Sequence, residues 1–248
     1  MKLNFKEWIE PSVKNKKRLV VYDFDGTIAN VPEKPSDWDR KNGDWWGHPS
    51  SLSNPNYNNE VNHEVVASFK KDKADPDTHV ILLTGRRGEV SPSVRNVLRT
   101  HGLFGKRMIP SSNEKILGYH QNNVDSGLDI EHPEEKHGHE EYYAGDHATE
   151  PDYPKGPKGK ADGSTLAHKI YVIKNKMMHP GIEQVEFWDD RSDHIPHFIK
   201  LGLDLLKEYG VQAGGNLKNV ILHRVYPPTD RSGQGVVQHI PIKHGMNH

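Results

Sequence analysis

Residues 18–30, RLVVYDFDGTIAN, decide how the rest of the chain reads. The apolar run Leu19 to Tyr22 passes straight into Asp23-Phe24-Asp25-Gly26-Thr27. A short apolar run that stops at carboxylates and glycine predicts a buried strand carrying acids to one edge of a sheet. In open α/β sheets the C-terminal edge is where ligands bind. Alternate residues of a strand share a face, so Asp23 and Asp25 point the same way if the extended conformation persists through them. Two carboxylates held together repel, and one is pushed towards protonation unless a cation lies between them. Gly26 permits a tight turn directly after the pair. An Asp-Gly surface turn would look the same locally, so the reading depends on the chain downstream.

Two further apolar runs end the same way. Val80 to Leu83 stops at Thr84-Gly85-Arg86, and Val185 to Trp188 stops at Asp189-Asp190-Arg191. Between them lie helical patterns. Val61, Val65, Val66 and Phe69 share one side of a helix over 60–73, with Asn58 or Asn59 as cap, and Val94, Val97 and Leu98 mark another over 92–101. Leu166, Ile170, Ile173 and Met177 form a stripe that begins at Asp162 or Ser164, and Ile195, Phe198, Ile199, Leu205 and Leu206 form a helix ended by Gly210. Lys106 to Pro110 and Val220 to Val225 bring the strand candidates to five, and Val236 to Ile240 reads as a further short strand. Strands alternating with helices predict an α/β fold, a Rossmann-like doubly wound and mostly parallel sheet. In such a sheet the three polar strand endings gather at one edge.

The remaining segments set the boundaries. Residues 1–17 read as a lead-in, with a short helix around Phe5 to Ile9 and a solvated basic run, Lys14, Lys16, Lys17 and Arg18. The core comprises 18–117 and 165–226, interrupted by a polar insertion at 118–164 and followed by a tail at 227–248. The insertion has almost no apolar periodicity, and its Pro-, Gly- and Lys-rich part at 151–163 reads as disordered chain. Its His132, His137, His139 and His147 stand among acids, which reads as a solvated, pH-responsive loop, with a transition-metal site as the alternative. The loop 31–59 carries Trp38, Trp45 and Trp46, which either anchor it to the core or wall a pocket.

Composition narrows the class. The 248 residues have a formal net charge of -1, so a contact with nucleic acid or membrane needs a local patch. There is no Cys, which excludes disulfides and thiolate chemistry. The N-terminus lacks the apolar core of a signal peptide, and no run approaches the ~18 apolar residues of a membrane span. A cytoplasmic protein without membrane contact is expected; the oligomeric state is not set by these features.

DFDGT resembles the first motif of the haloacid dehalogenase (HAD) superfamily, most of whose members are Mg2+-dependent phosphatases. The later strand endings follow the same order: Thr84 in LLTGR, then Lys169 in TLAHKIYVIK, then FWDDRSDHI. Lys160, Lys174 and Lys176 compete with Lys169 for the third position. The polar insertion falls between the Thr and Lys motifs, the family's second cap position, which implies a roof over the site. GDWWGHPSSL together with FWDDRSDHIPHF is similar to the Swiss Army Knife RNA repair-like HAD proteins. DDR before an amphipathic helix also resembles the phosphatase half of polynucleotide kinase 3′-phosphatases, although no GxxxxGK[ST] phosphate loop is present.

The resemblance implies a HAD-type phosphohydrolase acting through an aspartyl-phosphate. Asp23 is then the nucleophile and Asp25 the acid and base, while Thr84 donates to a phosphoryl oxygen and Lys169 neutralises charge. Mg2+ is expected between Asp23, the Asp25 carbonyl and Asp189, with Asp190 as a further ligand and Asp193 as another acidic candidate. Thr27, Gly85, Arg86, Trp45 and Trp46 are the expected substrate contacts, with Arg87 and Arg191 nearby. A phosphate on a nucleotide or nucleic-acid end is the expected substrate. A small phosphorylated metabolite, and an inactive module that only binds phosphate or a partner, are the alternatives.

Overall fold

The computed structural model describes residues 16–30, 34–39, 45–52, 61–86, 90–103, 139–143, 154–155, 164–178, 181–227, 235–243 and 245. Strand β1, Arg18–Tyr22, lies inside the sheet. Its neighbours are β2, Thr78–Thr84, and β4, Gln184–Asp189, both parallel to it. Strand β3, His139–Tyr143, pairs parallel with β2 on one side, and β5, Asn219–Tyr226, pairs parallel with β4 on the other. Strand β6, Val236–Ile242, closes the far edge antiparallel to β5. The order is therefore β3-β2-β1-β4-β5-β6, an α/β fold with a mostly parallel sheet, compatible with a Rossmann-like architecture.

Alternation along the central strands explains why both faces are covered. Leu19, Val21, Ile81, Leu83, Val185, Phe187, Val220 and Leu222 face one way, under helices α3, Thr165–Lys176, and α4, Ile195–Tyr209. Val20, Tyr22, Val80, Leu82 and Trp188 face the other, under α1, His63–Ala74, and α2, Ser91–Thr100. With both faces buried, these strands read as continuous apolar runs rather than alternating ones.

One expectation needs correction. The 118–164 segment contributes β3 to the sheet, although it lacks core-forming periodicity. An edge strand is held by backbone hydrogen bonds along one side, so a polar HEEYY sequence can occupy that position. The short strand expected at Val236 to Ile240 is present as β6. The expected strand at 106–110, the N-terminal helix, Arg87, Lys160 and the sites of His132, His137 and His147 lie outside the described residues.

The chain moves outward from β1 through β2 to β3, then returns to place β4 on the opposite side of β1. The strand order thus reverses between β1 and β4. That switch point, at the C-terminal ends of the strands, is the general ligand position of open α/β sheets.

Candidate active site

Asp23 follows β1 and Asp189 ends β4, so both stand at the switch point. The Asp23 backbone N–H donates to the Trp188 carbonyl at 2.9 Å and ties the two strand ends together. Beyond Asp23 the chain folds into a compact turn in which the N–H groups of Ile28 and Ala29 both donate to the Phe24 carbonyl at 3.0 Å. Gly26 holds φ +74° there, and a Cβ at this position would lie 2.0 Å from Asp190 Oδ2. Glycine is thus needed both for the left-handed backbone and for the approach of the Asp190 carboxylate.

Lys169 reaches the site from the first half of α3. Its ammonium lies 2.7 Å from Asp23 Oδ2 and 2.6 Å from Asp189 Oδ2, and it is fully buried. Ser164 caps α3, its hydroxyl accepting from the Ala167 N–H at 3.1 Å. Gly85 lets the start of α3 close on the end of β2, because a Cβ there would meet Thr165 Oγ1 at 2.3 Å. The structure thus gives Gly85 a packing role where a substrate contact was expected. Among the described lysines competing for the third position, Lys169 is the one placed between the two acids.

Asp23, Asp189 and Asp190 each offer a carboxylate oxygen within 4.8 Å of the others. Burial pushes the Asp23 carboxyl well above its usual range, against the pull of Lys169 and with the help of the neighbouring acids. Burial, then the Asp189 charge, pushes Asp190 up to about 7. Burial also works to raise Asp189, but the Lys169 ammonium and the His194 ring overcome it and hold Asp189 down at about 2. One ammonium cannot balance three carboxylates, and Asp190 Oδ1 is buried without a hydrogen-bond partner among the described residues. Hard oxygen donors with unspent charge fit a cation such as Mg2+. The Asp25 carboxylate stands outside this trio.

His194 is a member of the site that sequence reasoning missed. Its Nδ1 lies 3.1 Å from Asp189 Oδ1, and the ring is buried. The Arg191 N–H also donates to Asp189 Oδ1, at 3.1 Å. The only signal available was a His just before the helix that follows the acids. Asp193, considered as an acidic candidate, is exposed and pairs with Arg191 at 2.6 Å.

The Thr84 hydroxyl is buried and lies 3.4 Å from Asp25 Oδ2, while the Arg86 N–H donates to it at 3.2 Å. Thr27 is also buried, and its hydroxyl has no hydrogen-bond partner among the described residues. The largest corrections concern Arg86 and Trp45. Arg86 is 3% exposed and turned inward, with Nη2 2.7 Å from Asp25 Oδ1, so its guanidinium faces Asp25 within the protein. Trp45 is 6% exposed and meets Trp38 edge-on at 4.7 Å, which makes it an anchor of the loop. Trp46, by contrast, is 43% exposed. Of the two roles the loop's aromatics suggested, Trp45 takes the anchoring one.

Compared with protein-family models, with curated proteins and with solved structures, the chain matches none. No helix among the described residues is long and apolar enough to cross a membrane.

Proposed function

We propose that this chain is a HAD-type phosphohydrolase that works through an aspartyl-phosphate on Asp23, with a phosphate on a nucleotide or nucleic-acid end as its substrate. The observation that carries the reading is the Asp23 carboxylate beyond the end of β1, paired with Lys169 at 2.7 Å and clustered with two further acids. Asp23, Asp189 and Asp190 would hold Mg2+, which when bound neutralises their excess charge and polarises a phosphoryl oxygen. A carboxylate oxygen of Asp23 forms a bond to phosphorus as the ester P–O bond breaks. Asp25 gives a proton to the departing alkoxide. Asp25 then takes a proton from the water that attacks the phosphoenzyme, which releases phosphate and restores Asp23. Lys169 holds charge against Asp23 throughout, and Thr84 faces Asp25 from the end of β2.

The exposed face of Trp46 supports a base-bearing substrate, since an indole can stack any base. The net charge of -1 favours instead a small phosphorylated metabolite over a long polymer. The full chain should be assayed on 3′- and 5′-phosphorylated oligonucleotides, nucleotides and sugar phosphates, with Mg2+ and after chelation. Mg2+-dependent phosphate release, best on nucleotides or oligonucleotide ends, is the expected result. Full activity after chelation would remove the metal from the reading, and a preference for sugar phosphates would select the metabolite alternative. No release from any ester would leave the chain as a binding module.

A further inference from the structure

We infer that Arg86 is a positioning residue that locks the Trp46 segment to the Asp25 carboxylate, so that the substrate wall and the acid–base group are held in one geometry. The inference rests on the phosphohydrolase reading above. The guanidinium divides its donors among three partners. Nε donates to Asp25 Oδ1 at 2.8 Å and to Oδ2 at 3.0 Å, with Nη2 2.7 Å from Oδ1. Nη1 donates to the Trp46 carbonyl at 2.8 Å and to Ser51 Oγ at 2.7 Å. The Arg86 side chain is 1% exposed, which leaves no open edge for a substrate phosphate.

The segment it grips is organised for such a tie. Trp45 and Leu52 are buried at its two ends, and a short 3-10 turn, Pro49–Leu52, presents Ser51 to the guanidinium. Ser51 Oγ in turn donates to the His48 carbonyl at 2.8 Å, which closes the loop on itself. Trp46, the exposed member, lies with its ring 5.8 Å from Arg86 Cζ. On the other side, the Arg86 N–H rests on Thr84 Oγ1, so the clamp is set at the end of β2. Only a planar fork can serve a carboxylate with one edge and a carbonyl and hydroxyl with the other; an ammonium is a point donor.

Asp25 matters most when the leaving group needs a proton, so its misplacement should depend on the ester used. Arg86→Lys, Arg86→Gln and Ser51→Ala should be compared with wild type on a nucleoside monophosphate and on p-nitrophenyl phosphate, whose phenolate leaves unprotonated. Both Arg86 variants are expected to lower kcat on the nucleoside monophosphate by about 10²-fold and on the aryl ester by less than about threefold, with little change in KM. Ser51→Ala loosens only the loop side and should lower the same kcat several-fold, again selectively. Its fold should survive even if the Arg86 variants do not.

Recovery of activity in Arg86→Lys would mean that charge alone suffices and would overturn the positioning role. A rise in KM on both esters would make Arg86 a phosphate ligand instead. Equal kcat losses on both esters with a lowered Tm would make it purely structural. If wild type is active and Asp23→Asn is dead, yet no variant separates the two esters, this inference alone falls. A wild type inactive on both esters removes the phosphohydrolase reading and the inference with it.

Discussion

Two buried charge networks share β1 and β4, and they are balanced in opposite ways. Near the start of β1, Arg18 donates to Glu186 at 2.9 and 2.6 Å and to Asp72 at 3.0 Å. His223 Nε2 lies 2.8 Å from the other oxygen of Glu186, and the Tyr22 hydroxyl donates to Asp72 at 2.6 Å. Burial works to raise Glu186, but the hydrogen bonds from His223 and Arg18 hold it down at about 2. Three residues further along the chain from Glu186, the acids outnumber their partners. Asp23, Asp189 and Asp190 share Lys169, and Asp190 rises to about 7 under burial and the Asp189 charge. Arg86, another cation near the site, is committed to Asp25, and Arg191 pairs with Asp193. Burial of an acid is therefore not what distinguishes the candidate site, since Glu186 is buried too. Uncompensated negative charge distinguishes it, and that is the condition under which a cation finds a place.

The sharpest test of this contrast removes a carboxylate from the crowded end. Asp23→Asn should lower turnover by at least about 10³-fold, the scale of losing a covalent nucleophile. Its Tm should hold or rise, because one of three repelling acids becomes neutral. Residual activity near wild type, by steady-state kinetics, would break the nucleophile assignment.

At the balanced end the outcome should invert. Glu186→Ala leaves Arg18 with Asp72 as its close acid and removes the carboxylate facing the buried His223, and should cost about 1–3 kcal/mol in urea denaturation. A loss below about 1 kcal/mol would show that this network, too, carries slack.

The paired indoles sharpen the same distinction between structure and site. Trp45→Ala empties a buried anchor and should cost about 3–5 kcal/mol of stability. Trp46→Ala, at an exposed position, should stay within about 0.5 kcal/mol. It should lower kcat/KM on nucleotide substrates several-fold more than on sugar phosphates, as expected for lost stacking. Equal losses on both substrate classes would favour the metabolite reading.

The mildest test is pH. Asp190 binds its proton more tightly folded, at about 7, than its ordinary value of 3.8, so its contribution to stability is complete below about pH 4 and is lost as pH rises through about 7. Glu186 behaves oppositely: its contribution is present above its ordinary 4.5 and is lost as pH falls through about 2. Metal-free protein should therefore lose Tm between about pH 4 and 7. Mg2+ should restore it while releasing protons, measurable by calorimetry in buffers of different ionisation enthalpy. A Tm that is flat over this range with and without Mg2+ would remove the excess-charge account.

The sequence by itself determined the layout of the sheet edge. Apolar runs that stop at Asp23, Thr84 and Asp189 are local patterns, and a strand's end is encoded where its apolar residues give out. Glycine at position 26 was legible for the same reason, since the turn it makes involves its immediate neighbours. Tertiary structure alone decided which side chains meet. It put Lys169 between Asp23 and Asp189, brought His194 onto Asp189, buried Trp45 while exposing Trp46, and set β3 beside β2. Arg86 shows why. It follows Thr84 as a residue suited to phosphate, but Asp25 stands 61 residues before it and Ser51 35 residues before it. Local pattern specifies backbone conformation within a few residues, whereas the partner of a charge depends on which distant segments the packed sheet brings within hydrogen-bond reach.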